Sequence, residues 1–422
     1  MDRTSELLRS GAWLTRERVR LVALAVLVAS AAALVFLIAT SNGLNDYQGR
    51  PIGTDFSAVY AAGALALDGE PAAVFDIAAH FAREKAIFGS GAEYYGWLYP
   101  PFLLLIAAAL AMLPYGAALL VWQLSTLALY LWVVRAILLH AAPDGDARTP
   151  RLDPLWLLLA VAFPAVFVNI GHGNNGFLTA ALLGGALLTL ERRPLVAGVL
   201  FGLLAYKPQF ALMIPLALLA TGRWRTIAAA GITVVALVLV SALVFGVETW
   251  SAFLAATRFT RAVILEQGGP GWHKIQSVFS WVRMWGGTIP LAYAAQATVT
   301  LALAAALVWL WRSPAAFAYK AAALCLATLL APPYSLDYDT VVLAPAIAFV
   351  AADRMRQGFA PWEKTALAAL WLMPAISRNI TQLTLIPLGV IVLLAAFAFV
   401  LWRASEDTGV PASVSGNPQP SL

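Results

Sequence analysis

Long apolar runs separated by short polar breaks occupy most of this chain. The candidate segments are 21–40, 99–113, 116–138, 154–169, 176–190, 194–206, 208–221, 226–246, 290–311, 316–331, 340–352, 365–378 and 384–402. A membrane-spanning helix needs roughly 20 apolar residues, so several of these are too short to cross alone. Pro100, Pro101, Pro164, Pro208 and Pro215 punctuate them. Broken helices are tolerated in a bilayer where the freed backbone is buried in protein or lines a cavity. The pattern predicts an all-α, polytopic transmembrane protein with about ten to thirteen crossings.

Lysine and arginine placement orients it. Arg3, Arg9, Arg16, Arg18 and Arg20 hold residues 1–20 in the cytoplasm, and 21–40 reads as a retained anchor, since it is longer than the apolar core of a cleaved leader. The linkers at 191–194, 221–226, 310–314 and 352–357 also read as cytoplasmic. The intervening connections then face outward, including "GHGNNG" at 171–176, "YKPQ" at 206–209, the loops 41–98 and 247–288, and "PPYSLDYDT" at 332–340. Bringing "DARTPR" at 146–151 inside requires an odd number of crossings between 99 and 138, which makes 99–113 a candidate re-entrant segment. If 99–113 and 116–138 both cross, "GHGNNG" moves to the other side. The expected organisation is one multi-pass domain over 21–403 and a disordered tail over 404–422.

Composition agrees with lipid as the main solvent. The chain has 422 residues, of which 61% are hydrophobic and 12% charged, with a mean hydropathy of +0.79. Soluble domains carry about twice that charged fraction. The formal net charge of +5 is small, and the tryptophans sit near the ends of apolar runs, as interfacial anchors do; neither suggests nucleic acid. One cysteine, Cys325, excludes an intramolecular disulfide.

The outward-facing connections hold the candidate chemistry. Loop 41–98 is too long for a mere connector. Residues 57–69 and 72–89 carry apolar positions at helical spacing and read as amphipathic helices at the membrane surface, against the alternative of a simple soluble excursion. Asp55 in "GTDFSAVY" has two compatible readings: a helix cap, or a general base at the water–lipid boundary that takes a proton from an acceptor hydroxyl. Asp46 is the competing carboxylate. "GHGNNG" formally matches the dinucleotide pattern G-x-G-x-x-G, but apolar helices flank it where a strand should precede it. It reads as a polar helix break in which Asn174 and Asn175 offer amide hydrogen bonds.

Lys207 and Gln209 flank Pro208 inside an apolar stretch. An intramembrane lysine pairs, snorkels or serves a ligand, and a phosphate contact is the functional reading. Arg258, Arg261, His273 and Lys274 cluster in 247–288, where a lipid phosphate would sit; a solvated charged face is the alternative. Tyr334, Asp337 and Asp339 stand at an outward helix start, as caps and belt residues or as partners for sugar hydroxyls and bases. No His/Asp/Glu cluster has metal-ligand spacing, so neither a metal nor another cofactor is expected.

The ordered set "GTDFSAVYAAGALALDGEPAAVFD", "YPPFLLLIAAALAMLP" followed by Trp122, "GNNGFLTAALLGGALL", "RRPLVAGVLFGLLAYKPQFALMIPLALLATGRWR", "SVFSWVR" and "YSLDYDTVVLAPA" resembles glycosyltransferase family 87 over residues of about 20 to 350. These are integral-membrane GT-C-type enzymes that include polyprenyl-phosphate-mannose-dependent α-mannosyltransferases of glycolipid synthesis. The resemblance implies a hexose donor on a polyprenyl monophosphate, with mannose the default, and a lipid or glycan acceptor. It also implies an extracytoplasmic active site in the cell membrane and an aspartate base, carried to Asp55 through "GTDF". "GHGNNG" departs from the Gly-Gln-Asn usual at this place in the family. A transporter or flippase for a lipid-linked sugar is the rival reading, since broken helices also suit transport.

Overall fold

The computed structural model describes residues 2–140 and 152–409, and these are helical almost throughout, with isolated bridges in place of any sheet. The "DARTPR" stretch lies outside the described residues. A short helix α1 (Arg3–Ser10) precedes α2 (Arg16–Ala39), an apolar span that buries only Ala23 against the rest of the protein. The first loop folds into α3 (Thr54–Leu67) and α4 (Ile77–Phe88). Then come α5 (Leu104–Ala111), the long α6 (Tyr115–His140), α7 (Pro154–Val161) and α8 (Pro164–His172). The last two form a pair bent by 40° where Pro164 starts the second piece.

The middle of the chain runs through α9 (Gly176–Thr189), α10 (Pro194–Leu203), α11 (Met213–Ala220), α12 (Trp224–Phe245) and α13 (Val247–Phe259). After a π-helical turn at Thr260–Glu266 follow α14 (Val278–Met284), α15 (Ile289–Arg312), α16 (Phe317–Leu330), α17 (Leu343–Gln357), α18 (Glu363–Thr384) and α19 (Leu388–Gly409). Five helices among the described residues are long and apolar enough to cross a membrane, or six with the bent pair. Six further apolar helices of 10–17 residues lie among the described residues. The helix α19 also runs past the expected boundary at 404 to Gly409, its Arg403 held by Glu363 and Glu406; residues 410–422 of the expected tail lie outside the described set.

The chain ends and turns sort to two poles. Arg16 pairs with Asp153, Arg223 with Glu191, and Arg354 and Arg403 with the buried Glu363. Trp362 donates its amide to the Arg9 carbonyl. The arginine-rich linkers therefore converge at one pole. The opposite pole gathers Asp55, His172, Lys274 and the 334–339 turn. Segment 99–113 starts and finishes at this second pole: Tyr99 stands beside Asp55, and after α5 the Tyr115 hydroxyl donates to the Ile52 carbonyl at 2.6 Å. It packs on α3 so tightly that a Cβ on Gly63 would come within 2.1 Å of the Ala107 carbonyl oxygen.

The first-loop helices differ from the surface pair that periodicity suggested. Half of α3 is buried. The buried stripe of α4 is His80, Glu84 and Phe88, so two titratable groups face inward while Arg83 and Lys85 stand outside.

Candidate active site

A helix start and a helix break build the centre. Gly53, at φ +74, caps α3 from a left-handed backbone that suits glycine. The aspartate therefore lies in the first turn and not at the cap, which leaves its carboxylate free to point away. Opposite, α8 stops at His172, the chain turns through Gly173 at φ +64, and α9 begins at Gly176. A Cβ on Gly173 would lie 2.6 Å from the Phe56 Cβ and 3.3 Å from the Gly53 Cα, so the two turns touch.

Side-chain amides hold this break in shape. Asn169 donates to the Asn174 carbonyl at 3.0 Å and accepts from the Gly176 amide at 2.9 Å. Asn174 accepts from the Asn175 amide at 2.7 Å and donates its Nδ2 to Asp55 Oδ2 at 2.7 Å, across 119 residues. His172 Nδ1 lies 3.6 Å from Asp55 Oδ1 and 2.9 Å from Thr54 Oγ1. Burial pushes the Asp55 carboxyl up; His172, Asn174 and the more distant charge of Lys207 outweigh it and hold the acid below its usual range. Asp55 is thus a carboxylate at neutral pH, ready to accept a proton.

Asp46 has no such freedom. Its Oδ1 accepts from the Gln48 and Arg50 amides, both at 2.9 Å, and its Oδ2 accepts from the Arg50 guanidinium at 2.9 and 3.1 Å. Burial raises this carboxyl, and the bonds from Arg50 and Gln48 more than reverse that. A carboxylate so occupied closes a turn.

Asp55 and His172 line a cavity of about 790 Å³. Its walls bring together Tyr94, Tyr95 and Tyr99 from the first loop, Tyr334 and Asp337, and the cations Lys274 and Arg378. Along another wall lie Ser30, Ala33, Leu34 and Leu37, one face of the span α2. A hollow of about 900 Å³ on α15 is lined by apolar residues with Arg312 and Ser313, and its Arg312 already donates to the Ala220 carbonyl.

The candidates from the sequence separate into two groups. Asp55, Lys274, Tyr334 and Asp337 line the cavity, and Asn174 and Asn175 lie behind Asp55 at its edge. Lys274 is half-buried on the glycine-rich stretch after the π-helical turn and makes no ion pair among the described residues. Burial and the neighbouring Arg378 draw its ammonium below the usual lysine range. Asp337 pairs with Arg378 at 3.2 Å.

The others stand elsewhere. Lys207 and Asp339 form a buried ion pair at 2.5 Å, and Asp339 also accepts from the Leu336 amide at 2.9 Å. Lys207 thus has a carboxylate partner from 132 residues away and lies off the cavity wall. Gln209 is half-buried and makes no hydrogen bond among the described residues. Arg261 is exposed and bonds Glu266 at 2.8 Å; His273 is half-buried off the wall. The Arg258 side chain lies outside the described set. Arg378 and Asn169 were not singled out from sequence. Arg378 ends the run 365–378 that reads as spanning, and that run hid it.

A carboxylate and two cations, Lys274 and Arg378, thus share one cavity at one pole of a polytopic helical protein. The model of glycosyltransferase family 87 matches residues 97–333, more than half of the chain, and the chain belongs to that family as a membrane glycosyltransferase. No curated protein and no solved structure matches it. Asp55, His172 and Arg378 fall on both sides of and within the matched stretch, and geometry joins them into one site.

Proposed function

We propose that the chain is a GT-C-type enzyme that transfers a hexose, mannose as the default, from a polyprenyl-phosphate donor to a lipid or glycan acceptor. The reaction takes place on the extracytoplasmic side of the cell membrane with inversion. The observation that carries this is Asp55 Oδ2 held by Asn174 at 2.7 Å in a cavity that also exposes Lys274 and Arg378. Arginine and lysine opposite an oriented carboxylate suit a phosphate leaving group facing a base.

In the reaction Asp55 takes the proton of an acceptor hydroxyl, and that oxygen bonds to the anomeric carbon. The bond from that carbon to the phosphate oxygen breaks, its electron pair leaving on the polyprenyl phosphate. A single displacement inverts the anomeric centre and needs one base, because the phosphate leaves as an anion. Lys274 and Arg378 stabilise the charge that grows on it. The α2 wall supports a lipid-linked donor, since an apolar tail can leave the cavity along a span that buries only Ala23. Sidedness is supported by the arginine-rich linkers at the opposite pole, the pole that stays cytoplasmic.

Purified protein in vesicles with radiolabelled polyprenyl-phosphate mannose and a membrane lipid extract tests the reading. Labelled glycolipid from wild type, and a loss of about 10²-fold or more in Asp55→Asn, are the expected outcomes. Unchanged turnover in Asp55→Asn removes the base, and label that merely crosses the vesicle makes the protein a flippase.

A further inference from the structure

We propose that His172 is a positioning residue for Asp55 and that the two side chains titrate as one coupled pair, which sets the pH range of transfer. This rests on the reading of Asp55 as the base. His172 closes α8 and Asp55 opens α3, and their contact is made from both sides. Nδ1 is 2.9 Å from Thr54 Oγ1, next in sequence to Asp55, and 3.6 Å from Asp55 Oδ1. Asn174 meanwhile holds the other carboxylate oxygen at 2.7 Å. The ring stands edge-on to Tyr338, centroids 5.5 Å apart, which limits its turning away. Nε2 has no protein partner among the described residues and the ring lines the cavity, so it exchanges protons with cavity water.

The groups facing His172 identify its electrostatic partner. From α3 comes Asp55; from the 337–342 turn come Asp337 and Tyr338; from α18 comes Arg378. Asp337 is paired with Arg378 at 3.2 Å, so those two charges largely cancel. The α2 wall contributes serine, alanine and leucine only. Asp55 is left as the carboxylate without an arginine or lysine within ion-pair distance, and the imidazole is its ion-pair partner among the described residues. An imidazolium at this distance favours the carboxylate, and the carboxylate favours the imidazolium, so protons leave the pair in linked steps. A protonated His172 keeps Asp55 ionised; a neutral one leaves it a stronger base.

Two measurements on the full-length protein test this. The chain has four histidines, so spectra of protein labelled with ¹⁵N-histidine are resolvable, and H172Q identifies its signal. In Asp55→Asn one histidine midpoint should fall by about one unit while the others stay. No movement of any histidine overturns the coupling, and this comparison stands without H172Q. Transfer of labelled mannose is then followed across pH in wild type and H172Q, where glutamine keeps a donor toward Thr54 and removes the charge. The acid limb of kcat/KM should move up by about one unit with the donor KM unchanged. An unshifted limb, at whatever height, overturns the positioning role. If wild type transfers no sugar, the proposed reaction fails, while the spectra still read the pair.

Discussion

Replacing Lys207 with methionine separates a structural role from a ligand role for the one intramembrane lysine that the sequence marked out. Its Nζ lies 2.5 Å from Asp339 Oδ1, and both side chains are at most 4% exposed. Removing one partner of a buried pair leaves the other charge uncompensated and costs about 3–5 kcal/mol. That is a large share of the roughly 5–15 kcal/mol that holds a domain folded. Asp339→Asn keeps an acceptor for the Leu336 amide and leaves the ammonium alone, so it should cost a similar amount. The double variant should lose little beyond either single one, a coupling of about 3 kcal/mol. Unfolding in mixed micelles by graded sodium dodecyl sulfate, with donor KM measured on the folded fraction, reads both quantities. If Lys207→Met unfolds as wild type does and raises the donor KM, the lysine serves the phosphate and the argument from the ion pair is wrong.

Gly63→Leu should disrupt the α3–α5 packing, because even a Cβ there meets the Ala107 backbone at 2.1 Å; a cost above about 3 kcal/mol is expected, and unchanged thermal unfolding would refute the close packing. Lys274→Ala and Arg378→Ala should each raise the donor KM by roughly ten- to a hundredfold, the worth of a charged hydrogen bond of about 1.5–3 kcal/mol, in a labelled-donor titration. Glu84 is almost fully buried, and burial pushes its carboxyl up to about 8 from 4.5. Between those values the folded protein binds more protons than the unfolded chain, so stability should fall as pH rises through that window. Melting curves taken at intervals from pH 4.5 to 8 should show the slope in wild type and a flatter line in Glu84→Gln.

Local pattern revealed the parts of this protein that are local. Apolar length marks α2, α6, α12, α15 and α19, and the charge of the linkers separates the two poles. The glycine–asparagine run at 171–176 announces a helix break on its own. What pattern cannot carry is partnership across the chain. Asp55 meets Asn174 over 119 residues and Lys207 meets Asp339 over 132, and nothing in either neighbourhood names the other. The inward turn of His80 and Glu84 was hidden for a related reason: polar positions at helical spacing predict a wet face, and here tertiary packing put that face inside. Arg378 was masked by the apolar run it ends. Apolar length alone does not tell a full span from a shorter helix, and six apolar helices of 10–17 residues lie among the described residues.

The polar residues at the cavity pole divide by what their side chains do for the backbone. In a low-dielectric setting every interrupted helix leaves amide groups that must find partners, and four of these side chains supply them. Asn169 bonds the Gly176 amide, Asn174 the Asn175 amide, Asp337 the Tyr338 amide and Asp339 the Leu336 amide. Substituting any of them disturbs the turn that shapes the cavity, so a loss of activity there says little about contact with substrate. Asp55 and Lys274 are different: neither side chain satisfies a backbone group among the described residues. A half-buried carboxylate and a half-buried ammonium kept without a bond to the backbone are costly unless something else uses them. They are therefore the two positions at which activity should be lost while the fold, read by its unfolding curve, stays as it was.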